Sequence, residues 1–310
     1  MLLPSLFLMK HLLSVEELLP QELNKLIDQA VNMKTRRGNH EFQPLAGQTW
    51  ALIFTKASTR TRVSFEVGIR ELGGSPMFLS KNDIQLGRGE PIKDTARVLG
   101  RMVHGAIIRT SAQDDVTQFA EYSKIPTINA LTDDEHPCQI LADLLTIRER
   151  VGTWEGKKIA FVGDCFSNMS ISWMWAAKHL GFEFALAGPA KHLPPTDFFE
   201  KLDAPNISAS TDVKAAVEGA HVINTDVWLS MGQEEQSEKE GLFGSFQVNA
   251  ELLANASDDH IVLHCLPAYR GKEITEDVLE KHADVIFQQA ENRLHAQKAI
   301  LFQLAESAAI

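Results

Sequence analysis

At 310 residues the chain can bury more than one hydrophobic core, and 44% hydrophobic with 23% charged residues is ordinary for a globular protein. A formal net charge of −11 speaks against a nucleic-acid partner, which calls for a basic surface, so an anion can be held only where arginines gather locally. The three cysteines, Cys138, Cys165 and Cys265, lie far apart without a CxxC pair, which fits a reducing cytoplasm and no disulfide framework.

Residues 1–9 are apolar, but Lys10 and His11 cut the run short. No basic region precedes it and no small-residue cleavage site follows, so it reads neither as a signal peptide nor as a membrane span. Met9 is a second possible start, which would make residues 1–8 an extension. Ser14-Val-Glu-Glu17 has capping-box spacing ahead of a helical apolar face (Leu18, Leu19, Leu23, Leu26, Ile27, Ala30, Val31), and Pro20 should divide that helix in two. Strands are then expected at 49–54, 76–79, 105–109 and 126–130, with helices at about 60–72, 91–103, 114–123 and 137–150. Gly152 to Gly156 punctuate the chain and a second series begins. Its strands are expected at 158–163, 183–187, 206–209, 221–225, 261–265 and 285–288, with helical stretches such as 168–180 and 274–281. A last helix runs from about Arg293 to the end and can pack back on the first series. This β-α rhythm predicts an α/β protein of two doubly wound parallel-sheet domains.

The stretch Phe54-Thr-Lys-Ala-Ser58-Thr59-Arg60-Thr61-Arg62 empties a strand into a polar turn at a helix start. The first N–H groups of a helix lack intrahelical partners and the dipole there favours anions, so the turn suits a phosphate. Ser58, Thr59 and Thr61 add hydroxyl donors and Arg60 a planar fork. A capped surface helix with two arginines is the plain alternative.

Ligands of open parallel sheets bind outside the carboxyl ends of the strands, and the unusual polar residues fall there. The Lys81–Glu90 loop with Gln85 follows the second strand, Arg109 ends the third, and His136-Pro137-Cys138-Gln139 comes soon after the fourth. In the second series Asn168 follows strand 158–163, Asp226 follows 221–225, His264-Cys265-Leu266-Pro267 ends 261–265, and Arg293 follows 285–288. Together they place the active site in a cleft between the two domains. Duller explanations stand beside this: Arg109 as a strand-end charge, His136 as a helix cap before Pro137, Cys265 as an inert thiol and Cys138 as a packing residue. His260, His264 and Cys265 suggest a metal set, but strand alternation puts His264 and Cys265 on opposite faces, so no metal is expected. Gly163-Asp-Cys-Phe lacks the rest of a GxGxxG turn.

These motifs resemble the aspartate/ornithine carbamoyltransferase family, and within it the ornithine-using branch, nearly end to end. The family's Ser-Thr-Arg-Thr stands as Ser58–Thr61, its His-Pro-x-Gln as His136–Gln139, its Asp-x-x-x-Ser-Met-Gly as Asp226 to Gly232, and its His-Cys-Leu-Pro as His264–Pro267. One departure is Ser167-Asn168, where the family often has paired asparagines; Asn168 is aligned with the substrate-binding one. The resemblance implies that residues 1–147, with the C-terminal helix 294–310, bind carbamoyl phosphate. Ser58, Thr59, Arg60, Thr61, Gln85, Arg109, His136, Gln139, Cys265, Leu266 and Arg293 would do so. Residues 148–293 would bind ornithine through Asn168, Asp226, Ser230 and Met231. Arg109, His136, Asp226 and Cys265 would be catalytic. The family's pattern further implies a cytoplasmic homotrimer, or a multiple of trimers, with no cofactor, no metal and no membrane partner, and a cis peptide before Pro267.

The implied reaction is carbamoyl phosphate plus L-ornithine giving L-citrulline plus phosphate, in arginine biosynthesis or the reverse catabolic route. Either Cys265 beside Asp226 or the departing phosphate can take the amine proton. No arginine occurs from Asp226 through Leu242, which suits a cationic amino acid better than aspartate. The polar stretch 232–241 reads as a lid or as a solvated acidic loop. A non-catalytic sensor of anionic ligands would need neither Cys265 nor His136, and a nucleotide-dependent oxidoreductase would need the missing glycine fingerprint.

Overall fold

The run Thr49–Phe54 is buried from Trp50 onward, as a strand covered on both faces must be. It is the first of a set of parallel strands. The computed structural model describes residues 9–39, 41–82, 89–228 and 241–308. The chain forms two compact units, one of residues 1–142 with 293–310 and one of residues 143–292.

The first unit contains α1 (Pro20–Thr35), β1 (Thr49–Phe54), α2 (Thr59–Glu71), β2 (Ser75–Ser80), α3 (Ile92–Leu99), β3 (Gly105–Arg109), α4 (Gln113–Ser123) and β4 (Thr127–Leu131), and it receives the start of α5 (Pro137–Arg150). Its four strands run parallel in the order β2-β1-β3-β4. The connection reverses direction at β1, with β2 on one side and β3 on the other, so the switch point opens between the ends of β1 and β3. Trp50 lies opposite Gly105, and a Cβ there would come within 2.4 Å of the indole, so only glycine leaves room. Pro76 sits in β2 at the sheet edge, where its missing N–H costs no ladder bond. Ala51, Ile53, Ala106, Ile108, Val116 and Phe119 pack as a core between sheet and helices.

The second unit contains β5 (Lys158–Val162), α6 (Asn168–Leu180), β6 (Glu183–Ala187), α7 (Thr196–Leu202), β7 (Ile207–Ser210), α8 (Val213–Val217), β8 (Val222–Thr225) and β9 (Ile261–His264). Short helices Ala250–Leu253 and Glu276–Lys281 follow β8 and β9, and the helix Ala283–Ala308 closes the chain. The five strands are parallel in the order β7-β6-β5-β8-β9, and the switch point lies between β5 and β8. Both sheets are therefore doubly wound α/β, as expected. Among the described residues no helix is long and apolar enough to cross a membrane.

Two expectations fail. Residues 285–288 are not a strand but part of Ala283–Ala308. Ile286 and Gln289 are fully buried while Phe287 is 55% exposed, which is helical spacing and not alternation between two sheet faces. A short apolar run does not by itself distinguish the two. Nor does Ser14 cap a helix: residues 15–17 form only a turn, and α1 begins at Pro20. Proline needs no N–H partner in the first turn, and the Glu22 carboxylate accepts from the Leu19 N–H at 2.8 Å, so the start is fixed there.

Candidate active site

In the first unit, the end of β1 leads to Ser58, which has extended backbone and caps α2 by accepting from the Thr61 N–H at 3.4 Å. No acidic residue lies in the first turn, so the positive end of the helix stays uncompensated. The two arginines of this stretch differ. Arg62 is committed to Glu66 at 2.7 Å and stacks on the Phe78 ring, whereas Arg60 is half-buried and makes no ion pair among the described residues. Thr61 is buried and accepts from Arg293 Nη2 at 3.1 Å, while Arg293 Nη1 donates to Gln139 Oε1 at 2.6 Å. Arg293 thus ties the Ser58–Thr61 turn to the His136–Gln139 motif.

Arg109 ends β3 with only 6% of its surface exposed, and its carbonyl accepts from the Thr55 N–H at 2.9 Å. His136 precedes α5 and is also buried. Burial above all, then the positive charges of Arg293 and Arg109, hold its imidazole well below the usual histidine range. It is neutral at pH 7 and can donate to an oxygen that gains charge. Cys138 donates to the Asn129 carbonyl at 3.4 Å and burial pushes its thiol up to about 12, so it is the packing residue expected. Among the expected residues, Ser58, Thr59, Arg60, Thr61, Arg109, His136, Gln139 and Arg293 all belong to this unit. Gln85 lies outside the described residues. Arg293 does not follow a strand; it occupies the closing helix at the point where the chain rejoins the first unit.

In the second unit, Asp226 follows β8 and Asn168 opens α6, on either side of the β5/β8 switch point. Asp226 accepts from the Cys265 thiol at 3.0 Å and from the Val227 N–H at 2.8 Å. Burial raises its carboxyl pKa, opposed by His264, the Cys265 thiol and the Val227 N–H. His264 is fully committed: its N–H donates to Gln289 Oε1 at 2.8 Å, its Nδ1 accepts from the Leu266 N–H at 2.9 Å, and Nε2 lies 3.0 Å from Glu273 Oε1. With Nδ1 accepting, the ring proton sits on Nε2 and points at Glu273. Glu273 also accepts from the Tyr269 N–H at 2.7 Å. Leu266 has φ 57°, a left-handed conformation that costs a non-glycine residue about 1–3 kcal/mol, and His264 holds its N–H in place. The peptide before Pro267 is cis.

Asp226, His264 and Cys265 have ligand-type atoms within 4.8 Å of one another, contrary to the expectation that His264 and Cys265 point to opposite faces. β9 ends at His264, so Cys265 lies beyond the strand and the alternation of faces no longer applies to it. Cys265 donates to Asp226, while both ring nitrogens of His264 are used by the Leu266 N–H and Glu273, so His264 has no spare imidazole lone pair for a metal ion. Ser230 and Met231, and all of the 232–241 stretch except Gly241, lie outside the described residues. Glu273 was not anticipated from sequence, and no motif or spacing marks it.

The aspartate/ornithine carbamoyltransferase carbamoyl-P binding domain model matches residues 10–149, and the Asp/Orn binding domain model of the same family matches residues 155–304. An ornithine carbamoyltransferase of Akkermansia muciniphila is 64% identical over 302 residues, covering 96% of this chain and 99% of that protein. The anabolic ornithine carbamoyltransferase of Pseudomonas aeruginosa is 46% identical over 301 residues, covering 96% and 98%. Among solved structures, the anabolic enzyme of Campylobacter jejuni superposes with a TM-score of 0.90 at 42% identity over 96% of this chain and 99% of its own. The ornithine carbamoyltransferase of Pyrococcus furiosus gives 0.88 at 42% identity over 94% of this chain and 96% of its own. Two domain models in order and relatives this similar along nearly their whole length have one reading: the chain belongs to the aspartate/ornithine carbamoyltransferase family.

Proposed function

We infer that this chain transfers the carbamoyl group of carbamoyl phosphate to the side-chain amine of L-ornithine, giving L-citrulline and phosphate. The observation that carries the reading is the Arg293 bridge between Thr61 and Gln139, beside a histidine kept neutral among guanidinium groups. A phosphate-holding turn, a planar amide partner and a neutral donor for a carbonyl oxygen are the three things a carbamoyl donor needs.

In this reading residues 1–147, with 294–310, take carbamoyl phosphate. The N–H groups and hydroxyls of Ser58–Thr61 hold its phosphate, with Arg60 as the planar fork, Gln85 as a further contact and Arg109 and Arg293 as additional cations. Attack on the carbamoyl carbon builds negative charge on its oxygen, and His136, Arg109 and Thr61 are the donors aimed at it. Each such donor contributes about 3 kcal/mol to the transition state. Gln139 takes the carbamoyl amide. Residues 148–293 hold ornithine, with Asn168 and Met231 on its α-carboxylate, Asp226 and Ser230 on its α-ammonium, and Cys265 and Leu266 facing the reacting group. A lysine-like amine with pKa of roughly 10.4 is neutral in only about one molecule in two thousand at pH 7. The proton must therefore leave, and the Cys265–Asp226 pair or the departing phosphate receives it.

The reading extends to a cytoplasmic homotrimer, or a multiple of trimers, working in arginine biosynthesis or its reversal. Colorimetric citrulline formation by the purified chain from ornithine and carbamoyl phosphate tests the function. Citrulline that requires both substrates is expected, and none would refute it.

A further inference from the structure

Glu135 directly precedes His136, and its carboxylate is among the few buried acidic groups of the first unit, with 5% exposure. It accepts a short hydrogen bond from the Ser14 hydroxyl and another from the Val15 N–H at 2.9 Å. Its backbone is tied as well: the carbonyl accepts from the Thr132 N–H at 2.9 Å, and the N–H donates to Thr132 Oγ at 3.1 Å. The peptide that carries His136 is therefore fixed from both its side chain and its carbonyl.

The other end of this tether is held just as closely. Leu12 forms a parallel bridge with Ile128 of β4, donating to the Thr127 carbonyl at 2.9 Å and accepting from the Asn129 N–H at 2.7 Å. The Leu13 carbonyl accepts from Asn129 Nδ2 at 2.9 Å and Gln113 Nε2 at 3.0 Å. Thr132 Oγ donates to Gln113 Oε1 at 2.7 Å, which closes the circuit back to the loop before His136. Stability alone does not call for this design, because a buried carboxylate is costly to desolvate and an apolar side chain of that size would pack at least as well. Holding a catalytic donor to a fraction of an ångström does call for it, since a misplacement of about 1 Å costs on the order of a hundredfold in rate.

We infer that Glu135 is a positioning residue for His136, and that the segment Leu12–Val15 is the fixed point from which it acts. This rests on the assignment of His136 as a donor to the carbamoyl oxygen. Glu135→Gln keeps the shape but leaves an amide N–H₂ facing either the Ser14 hydroxyl or the Val15 N–H. It should lower kcat/KM for carbamoyl phosphate by about tenfold while ornithine KM stays within about twofold. Ser14→Ala should do the same more mildly, and Ser14→Thr should restore activity. In a double-mutant cycle the Glu135→Gln effect should vanish in a His136→Ala background, because the residue it positions is gone. An undiminished effect in that background would overturn the inference. A readout independent of catalysis is the nitrogen-15 imidazole signal of His136, identified by its loss in His136→Ala. Glu135→Gln and Ser14→Ala should shift it while the His264 signal stays put, and an unmoved His136 signal would also overturn the inference. A wild-type chain that makes no citrulline would instead refute the proposed reaction, and the imidazole signal would still decide whether Glu135 positions His136.

Discussion

The polar clusters of the two units are built with opposite charge. The first gathers guanidinium groups at the open end of a helix and keeps its histidine neutral among them; the second sets a half-buried carboxylate beside a thiol and a histidine–glutamate pair. The pKa directions follow the same division. His136 is pushed down by burial and then by the arginines beside it, and Asp226 is pushed up by burial against the opposing pull of His264. Each cluster thus carries the charge opposite to that of its proposed substrate: arginines for a phosphate, Asp226 for an ammonium. A site of one sign throughout would bind one of these substrates and repel the other.

The largest expected effect lies on the cationic side. Arg293→Met removes the charge and leaves Thr61 and Gln139 without their bridge, so kcat/KM for carbamoyl phosphate should fall by at least about a hundredfold in steady-state assays. Asp226→Asn should raise ornithine KM or lower kcat by about tenfold or more, with carbamoyl phosphate binding almost intact by calorimetry. It should also stabilise the fold at neutral pH. A carboxyl with a raised folded pKa contributes stability that is present at low pH and lost as pH climbs through its raised value, so the variant's advantage in melting temperature should grow above the ordinary carboxylate range. Arg60→Lys keeps the charge and loses the fork, and a fall of about tenfold is expected.

The smallest effect is on acid stability. His136 binds its proton less readily folded than unfolded, so stability is lost as pH falls below about 6.5, by at most about 1.4 kcal/mol per pH unit for this group. His136→Asn should flatten the slope of unfolding free energy between pH 6.5 and 5 measured in urea. Part of the slope should remain, because burial likewise lowers His282, to about 4.

Much of this contrast could be read in the sequence because it is local. Ser58–Thr61 and His136–Gln139 each sit at a strand-to-helix turn, where spacing and residue type declare the chemistry. Arg293 stands out in the sequence as a polar residue after an expected strand but is misplaced, because the preceding apolar run fits a strand as well as a helix turn. Its partners lie 154 and 232 positions away, and no spacing rule reaches that far. Glu273 and Glu135 carry no motif at all. They act through hydrogen bonds to a histidine and to the N-terminal segment, and such bonds are defined only once the chain has folded. Cys265 joined Asp226 as expected, but only because the chain leaves β9 one residue earlier than the predicted strand.

The measurement that tests the opposed-charge account most directly is the comparison of kcat/KM for ornithine, putrescine and aspartate as acceptors under one set of conditions. Putrescine lacks the carboxylate that the Asn168 side would bind, and aspartate brings a second anion to a segment without arginine. Ornithine should be preferred over both by at least about a hundredfold, or about 2.7 kcal/mol. Turnover of putrescine or aspartate as fast as ornithine would contradict the account.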